Sequence, residues 1–117
     1  MTNTVLIVDD HPSFRATARL LLESEGFEVV GEAEDGESAL RAARELRPDL
    51  VLLDVQLPDV DGFEVAAQLT RNGSGCAVVL VSSRDSSDFG SLVAGSGARG
   101  FIAKAELSGA ALRALVG

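Results

Sequence analysis

Four short apolar runs in this chain each stop abruptly at a polar group. Val5-Leu6-Ile7-Val8 runs into Asp9 and Asp10, and Leu50-Val51-Leu52-Leu53 into Asp54. Val78-Val79-Leu80-Val81 meets Ser82 and Ser83, and Phe101-Ile102-Ala103 meets Lys104. Runs this short, rich in Val, Ile and Leu, read as strands buried on both faces of a parallel sheet. The C-terminal strand ends of such a sheet share one rim, so these polar tips should converge. Three carboxylates, a hydroxyl and an ammonium on one rim describe a site for a metal ion and a phosphate.

Helical patterns separate the runs. Phe14, Ala18, Leu21 and Leu22 recur at helical spacing after Pro12, a residue suited to a first turn, and Gly26 stops that helix. Phe27 to Val30 begins a second strand, placed near a sheet edge because Glu28 and Glu32 need water. Ala39, Leu40, Ala43 and Leu46 form a stripe from Glu37 to Arg47 that Pro48 ends. A third stripe, Phe63, Ala66, Ala67 and Leu69, stops before Asn72-Gly73. The fourth helix, expected from Asp85 to Gly97, is weakened by Gly90, Gly95 and Gly97, since an interior Gly costs about 0.5–1 kcal/mol relative to Ala. Ser108 reads as an N-cap, with Leu107 and Leu112 placed to close a hydrophobic staple over a final helix of about two turns. Five strands alternating with five helices predict an α/β doubly wound parallel sheet with right-handed crossovers. No linker or internal repeat interrupts residues 1–117, which read as one domain. The short last helix reads as the end of a domain excised from a longer chain.

Charge narrows the function. The formal net charge is −8 and the Lys and Arg residues are scattered, so nucleic-acid binding by this chain alone is not expected. No stretch approaches the roughly 18 consecutive apolar residues of a membrane span, and no signal peptide opens the chain. Cys76 is the only cysteine and reads as a small apolar residue opening a buried strand. A soluble cytoplasmic protein is the expectation.

At the rim, Asp9, Asp10 and Asp54 would repel one another, and at least one of their pKa values should rise. A divalent cation removes that conflict. Oxygen-only ligands with no His or Cys nearby favour Mg²⁺, with Mn²⁺ as a substitute, over zinc. Lys104 is a point charge for a phosphate, and Ser82 can donate a hydrogen bond to a second phosphate oxygen. A phosphoryl group carried on Asp54 would lie among them. His11 reads as a turn residue ahead of Pro12 at a helix start, because no Cys, His or base partner is spaced for it. Asp59, Asp61 and Gly62 read as the turn into the third helix.

The segments V-L-I-V-D-D-H-P (5–12), D-L-V-L-L-D-V-Q-L-P-D-V-D-G (49–62), V-S-S (81–83) and G-F-I-A-K (100–104) resemble, in this order, the receiver domain of two-component response regulators. The opening D-D-H-P and the lack of Pro after Lys104 resemble the branch that often carries a LuxR-type helix-turn-helix output. The resemblance implies a flavodoxin-like (βα)5 fold with sheet order 2-1-3-4-5. It implies that Asp54 is the phosphoacceptor, with Asp9, Asp10, Asp54 and the backbone carbonyl of Gln56 at the Mg²⁺. Ser82 takes the switch hydroxyl position, Lys104 the lysine position and Phe101 the switch aromatic position. The implied partners are a sensor histidine kinase as phosphodonor and an output domain or partner protein, with a homodimer left open. Ala105 stands where many receivers have Pro, so a trans bond after Lys104 and a reshaped loop are expected. By the same resemblance, Gln56 and Arg84 occupy positions that tune dephosphorylation in the family. Two other functions remain open: a Mg²⁺-dependent phosphatase with Asp54 as nucleophile, and an interaction module of the same fold that ignores phosphorylation. Turnover of a small phosphate ester marks the first, and indifference to a phosphodonor marks the second.

Overall fold

The computed structural model describes residues 3–71, 76–83 and 90–116. Five strands, β1 (Thr4–Val8), β2 (Glu28–Ala33), β3 (Leu50–Asp54), β4 (Ala77–Ser82) and β5 (Gly100–Ala103), form one sheet. They pair in parallel in the order β2-β1-β3-β4-β5. The helices are α1 (Pro12–Ser24), α2 (Gly36–Leu46), α3 (Gly62–Arg71), α4 (Gly90–Gly95) and α5 (Gly109–Val116). A 3-10 turn, Lys104–Glu106, joins β5 to the last helix. The fold is the flavodoxin-like doubly wound α/β sheet. Asn72-Gly73, Arg84 and the expected helical residues 85–89 lie outside the described residues.

The apolar runs produce this because each central strand is covered twice. One core cluster joins Leu6, Val8, Val51, Leu53, Val78 and Leu80 to Ala39 and Ala43 of α2 and Val65, Ala66 and Leu69 of α3. The other joins Val5, Ile7, Leu50, Leu52, Val79 and Val81 to Ala18 and Leu22 of α1 and Leu112 of α5. Alternate residues of each strand feed opposite clusters, and burying one such Leu, Ile or Val side chain is worth about 1.5–3 kcal/mol.

Local signals set the helix ends. Pro12 starts α1, and Gly26 follows it at φ +93°, a left-handed conformation that Gly adopts without a Cβ clash. A capping box opens α2: the Asp35 carboxylate accepts from Ser38 N at 2.8 Å, and Asp35 N donates back to Ser38 Oγ. That cap sets the helix start, which the apolar stripe alone placed at Glu37. Ser108 Oγ accepts from Ala111 N at 3.0 Å, and Leu107 and Leu112 share one cluster, as a capped and stapled α5 requires. The second strand is the sheet edge, but it runs from Glu28 to Ala33 and carries a register shift opposite Val5/Leu6. Two stripes need adjustment. Val65, not Ala67, is fully buried in α3, and Leu46 stays 43% exposed where α2 reaches Gly31 of the edge strand. Among the described residues no helix is long and apolar enough to cross a membrane.

Candidate functional site

Strand register assembles the rim. Val8 pairs with Leu53, Asp54 with Val81, and Ser82 with Ala103, so Asp9, Asp54, Ser82 and Lys104 stand at four adjacent strand ends. Asp9 and Ser82 are buried and Asp54 is only 3% exposed, while Asp10 opens to solvent. The Lys104 ammonium reaches across β4 to Asp9 Oδ2 at 2.6 Å and Asp54 Oδ2 at 3.4 Å. It also lies 4.5 Å from the centroid of the Phe14 ring on α1, a cation–π contact that steadies its stem. The bond after Lys104 is trans, and the chain turns there into the 3-10 segment.

The carboxylates are held individually. Asp9 Oδ1 accepts from His11 N at 2.8 Å, and the Arg15 guanidinium donates to the Asp9 carbonyl at 2.6 Å. Arg15 is in turn fixed by Glu32 of the edge strand at 3.0 Å. Asp9 Oδ2 is buried and, apart from its ion pair with Lys104, finds no hydrogen-bond donor among the described groups. Asp54 Oδ1 accepts from Gln56 N at 3.2 Å. Burial pushes the Asp54 pKa above its ordinary value. The Gln56 N–H pulls it down, the Asp9 charge adds to the rise, and Lys104 opposes it.

The loop after Asp54 is fixed at both ends. Gly62 N donates to the Val55 carbonyl at 2.9 Å, and a Cβ on Gly62 would fall against the Asp54 carbonyl oxygen and 2.6 Å from Val55 Cα. Only Gly allows that approach. Asp61 accepts from Phe63 N at 2.7 Å and so belongs to the turn into α3, as expected. Asp59 also belongs to that loop, its Oδ1 accepting from Val60 N at 2.9 Å, and it has a further role. Its two oxygens accept from Gly36 N at 2.8 Å and Glu37 N at 3.1 Å, tying the loop to the first turn of α2. The donation from Gly36 holds the Asp59 pKa below its ordinary value.

The response regulator receiver domain family matches residues 5–116. The chain belongs to that family. Among its relatives are BvgA of Bordetella pertussis, a positive transcription regulator of virulence factors, and the response regulator GacA of Pseudomonas aeruginosa. BvgA is 45% identical over 106 residues, covering 91% of this chain and 51% of BvgA. GacA is 41% identical over 101 residues, covering 86% and 47%. The receiver thus spans about half the length of these curated relatives. The signal receiver domain of NarL from Mycobacterium tuberculosis superposes with a TM-score of 0.87 at 36% identity, covering 99% of this chain and 98% of that one.

One ligand atom each from Asp9, Asp10, His11 and Asp54 lies within 4.8 Å of the other three, so the receiver carries a cluster that could hold a metal ion. The donor set fits a hard divalent cation, which would stabilise the charged form of Asp54 against the burial and, to a lesser degree, the Asp9 charge that raise its pKa. Of the residues expected here, Lys104 touches both Asp9 and Asp54, and Gln56 joins through its backbone. Ser82 is the next strand end. Phe101 lies three residues before Lys104, half-buried against the α2/α3 cluster, outside the acidic cluster. His11 needs correcting. It does precede Pro12 as the N-cap residue of α1, but its ring has partners: Nδ1 lies 2.9 Å from Asp9 Oδ1 and 3.1 Å from Asp10 Oδ1. The cluster is therefore not made of oxygen alone. A side chain two positions from an acid on a strand-to-helix turn can fold back onto it, and that spacing was the available signal. Phe14 and Arg15, one turn into α1, had no comparable mark in the sequence.

Proposed function

We propose that this receiver is the phosphoacceptor switch of a two-component phosphorelay, with Asp54 taking a phosphoryl group from a sensor histidine kinase. One observation carries the reading: Asp54 is buried at the rim with a lysine ammonium on one oxygen and a second buried aspartate beside it. In the transfer, an Asp54 oxygen forms a P–O bond as the P–N bond of the donor phosphohistidine breaks. The departing imidazole keeps the electron pair and takes a proton from solvent. Asp9, Asp10, Asp54 and the Gln56 carbonyl would hold Mg²⁺, or Mn²⁺ in its place. When bound, the cation neutralises charge on the carboxylates and on the phosphoryl oxygens. Lys104 is already poised between Asp9 and Asp54, and it pairs with a phosphoryl oxygen once one is present. Ser82 then donates to another oxygen, and Phe101 turns into the space that Ser82 leaves. The conformational change controls an output domain or partner protein in the cytoplasm, and the relatives favour transcription as the process regulated.

Acetyl phosphate with Mg²⁺ should add one phosphoryl group, read by intact-mass spectrometry, and Asp54→Ala should abolish the increment. A normal increment in that variant would move the acceptor elsewhere. Sustained turnover of a small phosphate ester would instead make the domain a phosphatase.

A further inference from the structure

We infer that His11 is a nitrogen ligand of the rim cation site, so that this receiver prefers a first-row transition dication such as Mn²⁺ to Mg²⁺. The inference rests on Asp9, Asp10 and Asp54 being cation ligands, as proposed above.

The geometry comes first. Metal–ligand bonds of about 2.1 Å at right angles put neighbouring ligand atoms about 3.0 Å apart. His11 Nδ1 lies 2.9 Å from Asp9 Oδ1 and 3.1 Å from Asp10 Oδ1, so it already spans two such edges. Lys104 neutralises the Oδ2 side of Asp9 and Asp54. On the Oδ1 side of Asp9, the described partners are the backbone N–H and the ring of His11. Asp9 Oδ1 accepts that N–H and keeps a second lone pair for a cation.

The backbone that carries the ring is restrained. Residues before proline are confined to extended conformations, and His11 sits at φ −98°, ψ 108° with Pro12 locked as the first residue of α1. The side chain is 65% exposed, so its outer edge meets water. A ligand imidazole needs its Nδ1 lone pair free and its proton on Nε2, and a solvated Nε2 can carry that proton.

The chemistry follows from ligand type. A mixed nitrogen and oxygen site binds first-row dications in a series that begins at Mn²⁺ and rises towards Cu²⁺, whereas Mg²⁺ takes oxygen and gives up its waters reluctantly. Exchanging one water position for Nδ1 thus helps Mn²⁺ and does little for Mg²⁺. Hydrogen-bonding partners of metal ligands alone are worth about 10–100-fold in metal affinity, so losing a ligand should cost Mn²⁺ at least about tenfold.

The test uses the unphosphorylated protein at slightly alkaline pH with Mn²⁺ alone. Pulsed electron paramagnetic resonance should show nitrogen modulation on the bound Mn²⁺, absent in His11→Ala. Calorimetric titration should show His11→Ala losing at least about tenfold in Mn²⁺ affinity with a much smaller loss for Mg²⁺. Asp10→Ala should weaken both ions. Binding that depends on Asp10 without nitrogen modulation would overturn the role of His11 and leave the cation site standing. Binding indifferent to Asp10 would instead remove the cation site itself.

Discussion

Asp54 is a single residue held where its charge is costly. Placing its carboxylate under the rim beside Asp9 raises its pKa, and the Gln56 N–H and Lys104 offset only part of that rise. The native state therefore holds the proton more tightly than the unfolded chain does. Stability falls as pH climbs from the unfolded value of 3.8 through the raised native value, then levels off. Asp54→Asn removes the charge with almost no change of shape. Its melting temperature should exceed that of the wild type at neutral pH in chelator, and the two should converge below pH 3.8. Thermal melts across pH check this. A lower melting temperature for Asp54→Asn at neutral pH would mean that the Lys104 pair outweighs burial.

Helix termini tie the elements to the site. The first turn of α2 has two separate acceptors, Asp35 from its own chain end and Asp59 from the loop that follows Asp54. Because Gly36 holds the Asp59 pKa below its ordinary value of 3.8, the linkage has the opposite sign to that of Asp54. Its stabilisation is complete above that value and lost as pH falls through the lowered native one. Asp59→Ala should lower the melting temperature at neutral pH and speed amide exchange at Gly36 and Glu37, with the stability difference fading in acid. Unchanged exchange at those two amides would show that water replaces the carboxylate freely. At the other end of the chain, Ser108→Ala removes the cap on α5 and should cost about 1 kcal/mol in urea unfolding. A negligible loss there would mean that packing by Leu107 and Leu112 alone sets the start of α5.

At the scale of the whole molecule, the proposed switch needs more than one contact to the phosphoryl group. Driving a two-state equilibrium from about 1:99 to 99:1 takes about 5.5 kcal/mol of differential binding. One neutral hydrogen bond contributes about 0.5–1.5 kcal/mol, so in the proposed switch Ser82 alone would fall short and the charged Lys104 contact would also be required. Ser82→Ala should still accept a phosphoryl group but respond less. With the phosphoryl mimic beryllofluoride and Mg²⁺, its NMR shift changes over the surface of α4, β5 and α5 should be smaller than those of the wild type. A response of full size would route the switch around Ser82. Phe101, half-buried between β5 and the α2/α3 cluster, sits where it can read such a change.

How much of this was legible in the sequence follows from the range of the forces involved. Burial on both faces of a strand demands an unbroken apolar run, so β1, β3, β4 and the rim position of Asp9, Asp54, Ser82 and Lys104 could be read directly. Local capping was also legible at Ser108, because a cap and its amide lie three residues apart. The register shift in β2, the reach of Asp59 to α2 and the Arg15–Glu32 support of Asp9 join residues far apart in the chain, and periodicity carries no trace of them. Strand order likewise came from the family resemblance, since alternating strands and helices allow several windings. His11 lies between the two cases. Its neighbours in the chain are its partners, yet whether the ring turns toward them or toward water depends on the backbone angle that Pro12 and α1 impose, and only the folded chain decides that.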